Sequence, residues 1–259
     1  MYPIIAEFGP LTIYSFGVMM ALGFYIGSAV SVAEYRRRGG DGEQMWNLLV
    51  WLFIGGLVGS KILSLGNDPA AFFRDPIGQT FSGSGFVWYG GLIGGLAVGF
   101  ALRRRYNITL GTLLDCTALG LPVGQAIGRL GCHVAGDGDW GTITELPWGV
   151  AYTNAIIGWD YAPGTTVHPT PIYEFLAYMS VFGVLFSLRK RDLPAGAMFA
   201  LYLVGNATAR FAVEFIRINP RVAFGLTQAQ LIAIVLFTLG AAWLLYLRSV
   251  SVTEEEAAS

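Results

Sequence analysis

Charge is scarce in this 259-residue sequence, at 13% Asp, Glu, Lys and Arg, and histidine and cysteine occur only twice each. The shortage of charge excludes an ordinary water-soluble globule, in which about a quarter of residues are charged. The two cysteines, Cys116 and Cys132, form no CxxC pair and no ligand spacing, which argues against a cysteine-based redox motif or metal centre. If both lie on one helix, a rise of about 1.5 Å per residue sets them about 24 Å apart, too far for a disulfide. Both read as small packing residues. The net charge is −1 and no basic block carries interleaved aromatics, so no nucleic-acid partner is expected. No Lys or Arg precedes the first apolar run, which predicts that there is no cleavable secretory leader. Nothing in the pattern calls for a metal or an organic cofactor.

Long apolar runs are what the chain has in abundance. Hydrophobic residues make up 54% of it, with 35 glycines and a mean hydropathy of +0.56, the profile of a protein solvated mainly by lipid. About 20 apolar residues cross the hydrocarbon layer as a helix. Runs near 11–32, 45–65, 86–102, 110–127, 170–188, 194–215 and 226–247 predict an all-α polytopic membrane protein with seven transmembrane helices. The fourth run is interrupted by Pro122. Residues 128–168 are too polar and too rich in Gly, Pro and Trp to cross, and read as a small external head between spans four and five. A loop of that length is usually functional. The segment around Phe72 and Phe73 reads as an amphipathic piece on the outer surface, and residues 249–259 as a solvated acidic cytoplasmic tail.

The basic residues check this topology. With the N-terminus outside, Arg36 to Arg38, Arg103 to Arg105, Arg189 to Arg191 and Arg248 all fall on the cytoplasmic side, as positive-inside bias requires. Lys61, Arg74, Arg129, Arg210, Arg217 and Arg221 are left in the outer half or outside and need another reason to exist. Lys61, near the end of its span, reads as a snorkelling side chain.

Arg129 and Arg210 close two different spans on the same predicted face, at headgroup depth. A guanidinium is permanently charged and presents forked donors matched to a phosphate, so two of them make a suitable clamp for a lipid phosphodiester. Gln125, Arg129 and His133 follow at i, i+4, i+8, and Arg210, Glu214 and Arg217 at i, i+4, i+7, so each set shares a helix face. For Glu214 and Arg217 the spacing fits equally well a purely structural ion pair with Arg210. His133 and His168, both on the outer side, are candidate bases, because neutral imidazole takes a proton near pH 7. Tyr89 precedes a run of small residues that permits close approach by a helix or a ligand.

In chain order the sequence carries Tyr89-Gly-Gly-Leu-Ile-Gly-Gly95, then Gly124-Gln-Ala-Ile-Gly-Arg-Leu-Gly-Cys-His-Val-Ala-Gly-Asp-Gly-Asp-Trp-Gly141, then His168-Pro-Thr-Pro-Ile-Tyr-Glu174 and Arg210-Phe-Ala-Val-Glu-Phe-Ile-Arg217. Together these stretches resemble the bacterial prolipoprotein diacylglyceryl transferases. The resemblance implies a seven-span inner-membrane transferase that moves the diacylglyceryl group of phosphatidylglycerol to a prolipoprotein. The acceptor would be the lipobox cysteine of the signal peptide, and the products a thioether and glycerol phosphate. It implies that Arg129 and Arg210 match the family's essential arginines, Asp137 its acidic residue and Gly141 its glycine. Tyr89, His133 and His168 stand as candidate catalytic groups beside the arginines. Gly90, Gly91, Gln125, Cys132, Tyr173, Glu214 and Arg217 join Asp137 and Gly141 as candidate substrate-binding residues. The chain departs from the family where Tyr89 replaces a histidine, where Cys132 replaces an asparagine, and at an apparent one-residue insertion near Gly138. Those departures leave open a paralogous transferase with another acceptor. A lipid-binding or transport protein without chemistry, or a structural membrane subunit, are the readings from other classes.

Overall fold

The computed structural model describes residues 1–9, 11–82 and 86–258. Nine α-helices dominate the described residues: α1 (Ser15–Arg37), α2 (Gly42–Asn67), α3 (Pro69–Arg74), α4 (Pro76–Phe81), α5 (Trp88–Leu102), α6 (Leu110–Ala135), α7 (Thr170–Leu188), α8 (Ala197–Val213) and α9 (Gln228–Ala258). Two short antiparallel hairpins complete the regular structure, β1 (Ile4–Phe8) with β2 (Leu11–Tyr14) and β3 (Arg221–Ala223) with β4 (Leu226–Thr227). Among the described residues six helices are long and apolar enough to cross a membrane, α1, α2, α6, α7, α8 with the 3₁₀ turn that follows it, and α9 up to Val250. The chain is a multi-pass membrane protein.

Several expected boundaries move. Residues 11–14 are the second strand of the first hairpin rather than the start of a span, because the chain reverses after Gly9, at φ 61°, and Leu11 pairs with Phe8. The helix at the expected third span has 15 residues, about 22 Å at 1.5 Å per residue, shorter than the hydrocarbon layer. Pro122 does not break α6, which runs on through Arg129 and His133 to Ala135. A proline removes one ladder hydrogen bond, and tight packing by a neighbouring helix is what tolerates it in a membrane helix. Here Pro122 lies between Gly120 and Gly124, which press on the backbone of α1 at Gly27 and Gly23. Helix α9 continues through the acidic run at Glu254 to Glu256, which was expected to be solvated tail.

The chain divides into two compact units, residues 1–31 with 114–259, and residues 32–113. In the first unit, Ala118 and Leu119 of α6, Leu185 of α7 and Met198 and Tyr202 of α8 form a buried core. Asp115, buried on α6, accepts hydrogen bonds from the backbone N–H groups of Gly196 (3.0 Å) and Phe199 (3.3 Å), and so caps the start of α8. A second core of Trp140, Tyr152 and Val167 organises the segment between α6 and α7, with Met1, Trp159 and Tyr161 packed on it.

In the second unit α2 and α5 meet through glycines on both faces. A Cβ at Gly59 would come 2.3 Å from the carbonyl oxygen of Gly90, and one at Gly94 would come 2.2 Å from that of Gly55. Small residues at such a crossing let backbones approach closely enough for dispersion contacts to hold the helices together in lipid. The short helices α3 and α4 each start on a proline and are capped by Asp68 and Asp75, and they leave Phe73, Ile77 and Phe81 exposed. Gly94→Leu should separate α2 from α5 and lower stability by about 1–3 kcal/mol, the usual cost of overpacking, read as a lower thermal midpoint of the detergent-solubilised protein.

Candidate functional site

Helices α6 and α8 run in the same direction and α7 runs back between them in sequence, so the end of α6, the start of α7 and the end of α8 meet at one end of the first unit. Each brings charge. Arg129 lies near the end of α6, Glu174 near the start of α7 and Arg210 in the last turn of α8. After α8 the chain tightens into a 3₁₀ turn, Glu214–Ile216, which presents Glu214 and then Arg217. The loop after α6 adds Asp139.

Glu174 sits at the centre. Its side chain is only 1% exposed and meets all three guanidinium groups, Arg129 through Nε at 3.1 Å, Arg217 through Nη1 at 3.2 Å, and Arg210 through Nη1. Asp139 bridges Arg129 and Arg217 with its two carboxylate oxygens. Glu214 lies 2.9 Å from Arg210 Nη2 and 3.5 Å from Arg217 Nε, and accepts a hydrogen bond of 2.6 Å from Asn219. Three guanidinium groups are thus paired with three carboxylates, and Asp137 lies beside Asp139 outside these pairings. Without such pairing, three guanidinium groups in a poorly hydrated place would repel each other and pay several kcal/mol each in lost hydration. Arg217 is 5% exposed, whereas Arg129 and Arg210 keep 23% and 20% of their side chains open.

Asp139 lies beyond the spans. Burial pushes its carboxyl up, but Arg217 and then Arg129 more than offset this and hold it below the usual aspartate range. Backbone contacts fix its place. Thr170 Oγ1 and Arg217 Nη1 both donate to its carbonyl, and its own N–H donates to Asp137 Oδ1 at 3.2 Å. Gly141 bridges to Arg217 as a β-pair, its N–H donates to His168 O, and a Cβ there would lie 2.5 Å from Ile216 O. No larger residue fits at this crossing.

The expected residues fall into three groups. Arg129, Arg210, Glu214 and Arg217 come together, and Glu214 touches both arginines of its set. Cys132 adjoins them, with Arg129 Nη1 3.9 Å from its sulfur. His133 and His168 face other partners. His133 Nδ1 lies 2.9 Å from the hydroxyl of Tyr152, a fully buried phenol whose pKa burial raises, and His168 Nδ1 lies 3.2 Å from that of Tyr173. Tyr173 in turn accepts from Trp148 Nε1 at 2.7 Å. Gln125 accepts a hydrogen bond from Tyr202 within the helix packing. Tyr89, Gly90 and Gly91 belong to the second unit, where the two glycines lie against Gly59 and Ser60 of α2.

Asp139 and Glu174 were not singled out from the sequence as site residues, although each holds two or more arginines. Glu174 had a signal in plain view, since an acidic residue just inside an apolar span needs a cationic partner. Asp139 lies in the loop after α6, where helix spacing points to no partner. The ligand atoms of Cys132, Asp137 and Asp139 lie within 4.8 Å of one another. Both carboxylate oxygens of Asp139 already face guanidinium groups, whose charge opposes a cation there.

Three arginines and three carboxylates thus gather where the apolar helices of a multi-pass membrane protein end. The chain belongs to the prolipoprotein diacylglyceryl transferase family, whose model matches residues 3–246. It is similar to the phosphatidylglycerol--prolipoprotein diacylglyceryl transferase of Clostridium tetani, 32% identical over 223 residues that cover 85% of this chain and 87% of the relative. It is also similar to the proteins of that name from Dehalococcoides mccartyi, 32% identical with 94% and 93% covered, and Gloeobacter violaceus, 28% identical with 98% and 95% covered.

Glu174→Ala leaves three guanidinium groups without their shared partner and should cost about 3–5 kcal/mol, the usual loss on breaking a buried ion pair, measured by unfolding in detergent. The ionised form of Asp139 is the one the fold favours. Its contribution is therefore complete above the ordinary aspartate pKa of about 4 and is lost as pH falls through the lower folded value. The thermal midpoint of the wild type should fall on acidification below about pH 4, and that of Asp139→Asn should fall less.

Proposed function

We propose that this chain transfers the diacylglyceryl group of phosphatidylglycerol to the lipobox cysteine in the signal peptide of a prolipoprotein. The thiol sulfur attacks the glyceryl carbon bonded to the phosphate oxygen. A carbon–sulfur bond forms, the carbon–oxygen bond breaks with its electron pair going to oxygen, and glycerol phosphate leaves. The thiolate is the reactive form of the nucleophile, and His133 and His168 are the candidate acceptors of the thiol proton. The reaction develops negative charge on the departing phosphate, so fixed cations at that point lower the barrier most.

The observation that carries this reading is the convergence of Arg129 and Arg210, from separate helices, on one buried carboxylate, with about a fifth of each guanidinium side chain still open. Glu174 fixes the two forks at a set spacing, and the donors that no carboxylate holds can meet a phosphodiester. Preorganised donors of this kind need no rearrangement as charge develops.

The membrane setting follows the charge pattern. Seven crossings, with α5 as the short one and the N-terminus outside, put the three arginine-rich turns and Arg248 in the cytoplasm of a bacterial cell, in its inner membrane. A 22 Å helix crosses by locally thinning the bilayer. The segment between α6 and α7 is then the external head, on the side where exported prolipoproteins arrive. A reporter inserted after Arg191 should be active only if it works in the cytoplasm, and one inserted near Pro163 only if it works outside.

Incubation of the purified protein with phosphatidylglycerol and a lipobox peptide should add the mass of one diacylglyceryl group to the peptide. Arg129→Ala or Arg210→Ala should lower the rate by about 10²- to 10³-fold, the usual effect of removing one charge-stabilising donor. Lipid retention without any mass gain would favour a lipid-binding protein, and near-normal turnover in either arginine variant would remove the phosphate clamp.

A further inference from the structure

The three carboxylates of the cluster differ in exposure and in what carries them. Glu174 and Glu214 are 1% and 0% exposed and stand on a helix and a 3₁₀ turn, whereas the side chain of Asp139 is 30% exposed and stands on a loop. That loop turns at Gly136 (φ 65°) and Gly138 (φ 92°), a backbone region that glycine enters without strain. The two oxygens of the Asp139 carboxylate engage two different arginines, Arg129 on one side and Arg217 on the other. A phosphodiester presents the same feature, a pair of anionic oxygens that a guanidinium fork receives.

We infer that Asp139 is a positioning residue that occupies the phosphate's place on Arg129 in the resting protein and is displaced from it by the anionic headgroup. The inference rests on the transferase reading and adds an exchange step to it. The charges require some such step. The three arginines are already matched by three carboxylates, with Asp137 beside Asp139, and a further anion entering intact would leave an excess of negative charge in a poorly hydrated place. Moving Asp139 toward solvent removes that conflict, because it is the carboxylate with the most solvent within reach. Glu174 stays in place and keeps the spacing of Arg129 and Arg210, and Arg217, which is almost fully buried, remains bound to Glu174 and Glu214. Asp139 returns when glycerol phosphate departs, so it also helps to expel the product.

Two measurements on the full-length protein in detergent test this. The first is the affinity of Asp139→Asn for glycerol phosphate and, separately, for short-chain phosphatidylglycerol, by calorimetric titration. Loss of one charge-assisted competitor should tighten both by about tenfold, and the KM for phosphatidylglycerol in the transfer assay should fall with them. A residue that only props up Arg129 would give the opposite result, weaker binding and a higher KM. The second is backbone hydrogen exchange of the wild type, which does not depend on the variant folding. Glycerol phosphate should speed exchange at residues 138–140 while slowing it around Arg210. Unchanged or weaker anion binding by Asp139→Asn, or slower exchange at residues 138–140 on adding glycerol phosphate, overturns the inference. The transferase reading fails separately, if the wild type binds the anion but adds no mass to the peptide.

Discussion

A single buried carboxylate decides whether the rest of this site can exist. Three permanently charged guanidinium groups from two helices and a turn converge on Glu174. Each loses hydration there, and each would repel the others by several kcal/mol at such separations if nothing lay between them. Glu174 touches all three. Because α7 runs antiparallel to α6 and α8, its first turns reach the end of the unit where the arginines of both neighbours emerge. The apolar packing of Leu119, Leu185, Met198 and Tyr202 brings those helices together. The ion network then fixes how their ends are aligned, since a shift of one helix by a single turn would part an arginine from its carboxylate.

Much of this was legible in the sequence because membrane helices announce themselves by composition, and because charge is so rare here that each ionised residue stands out. Arg129 and Arg210 stand out by that route, and both reach the carboxylate of Glu174. The negative half of the cluster was read less well. Spacing along one helix identifies partners only within that helix, as for Arg210 with Glu214, whereas Glu174 and Asp139 reach arginines across the fold. The small residues at Gly90 and Gly91 suit close approach by a helix or a ligand alike, and their contact with α2 needs the position of the second helix to be seen. The second strand of the first hairpin, residues 11–14, merged with the expected first span because its sequence is as apolar as the helix that follows. The persistence of α6 past Pro122 depends on tertiary packing that no local propensity encodes.

Charge pairing and partial exposure together give the cluster its character. A fully buried neutral network would be only a structural tie, and a fully hydrated one would hold no fixed geometry. Arg217 and Glu214 lie at the buried extreme and Arg129, Arg210 and Asp139 toward the open one. The closed side supplies rigidity, since buried side chains have few rotamers left. The open side retains donors whose direction is already set, which is what distinguishes a binding surface from a patch of mobile surface charge.

The capping of α8 by Asp115 bears on how the chain is assembled. The carboxylate belongs to α6, and the two backbone donors it receives at Gly196 and Phe199 are synthesised only after α7 and the long segment before it. A carboxylate is costly to bury without such donors, so the final packing of the first turns of α6 waits until α8 arrives beside it.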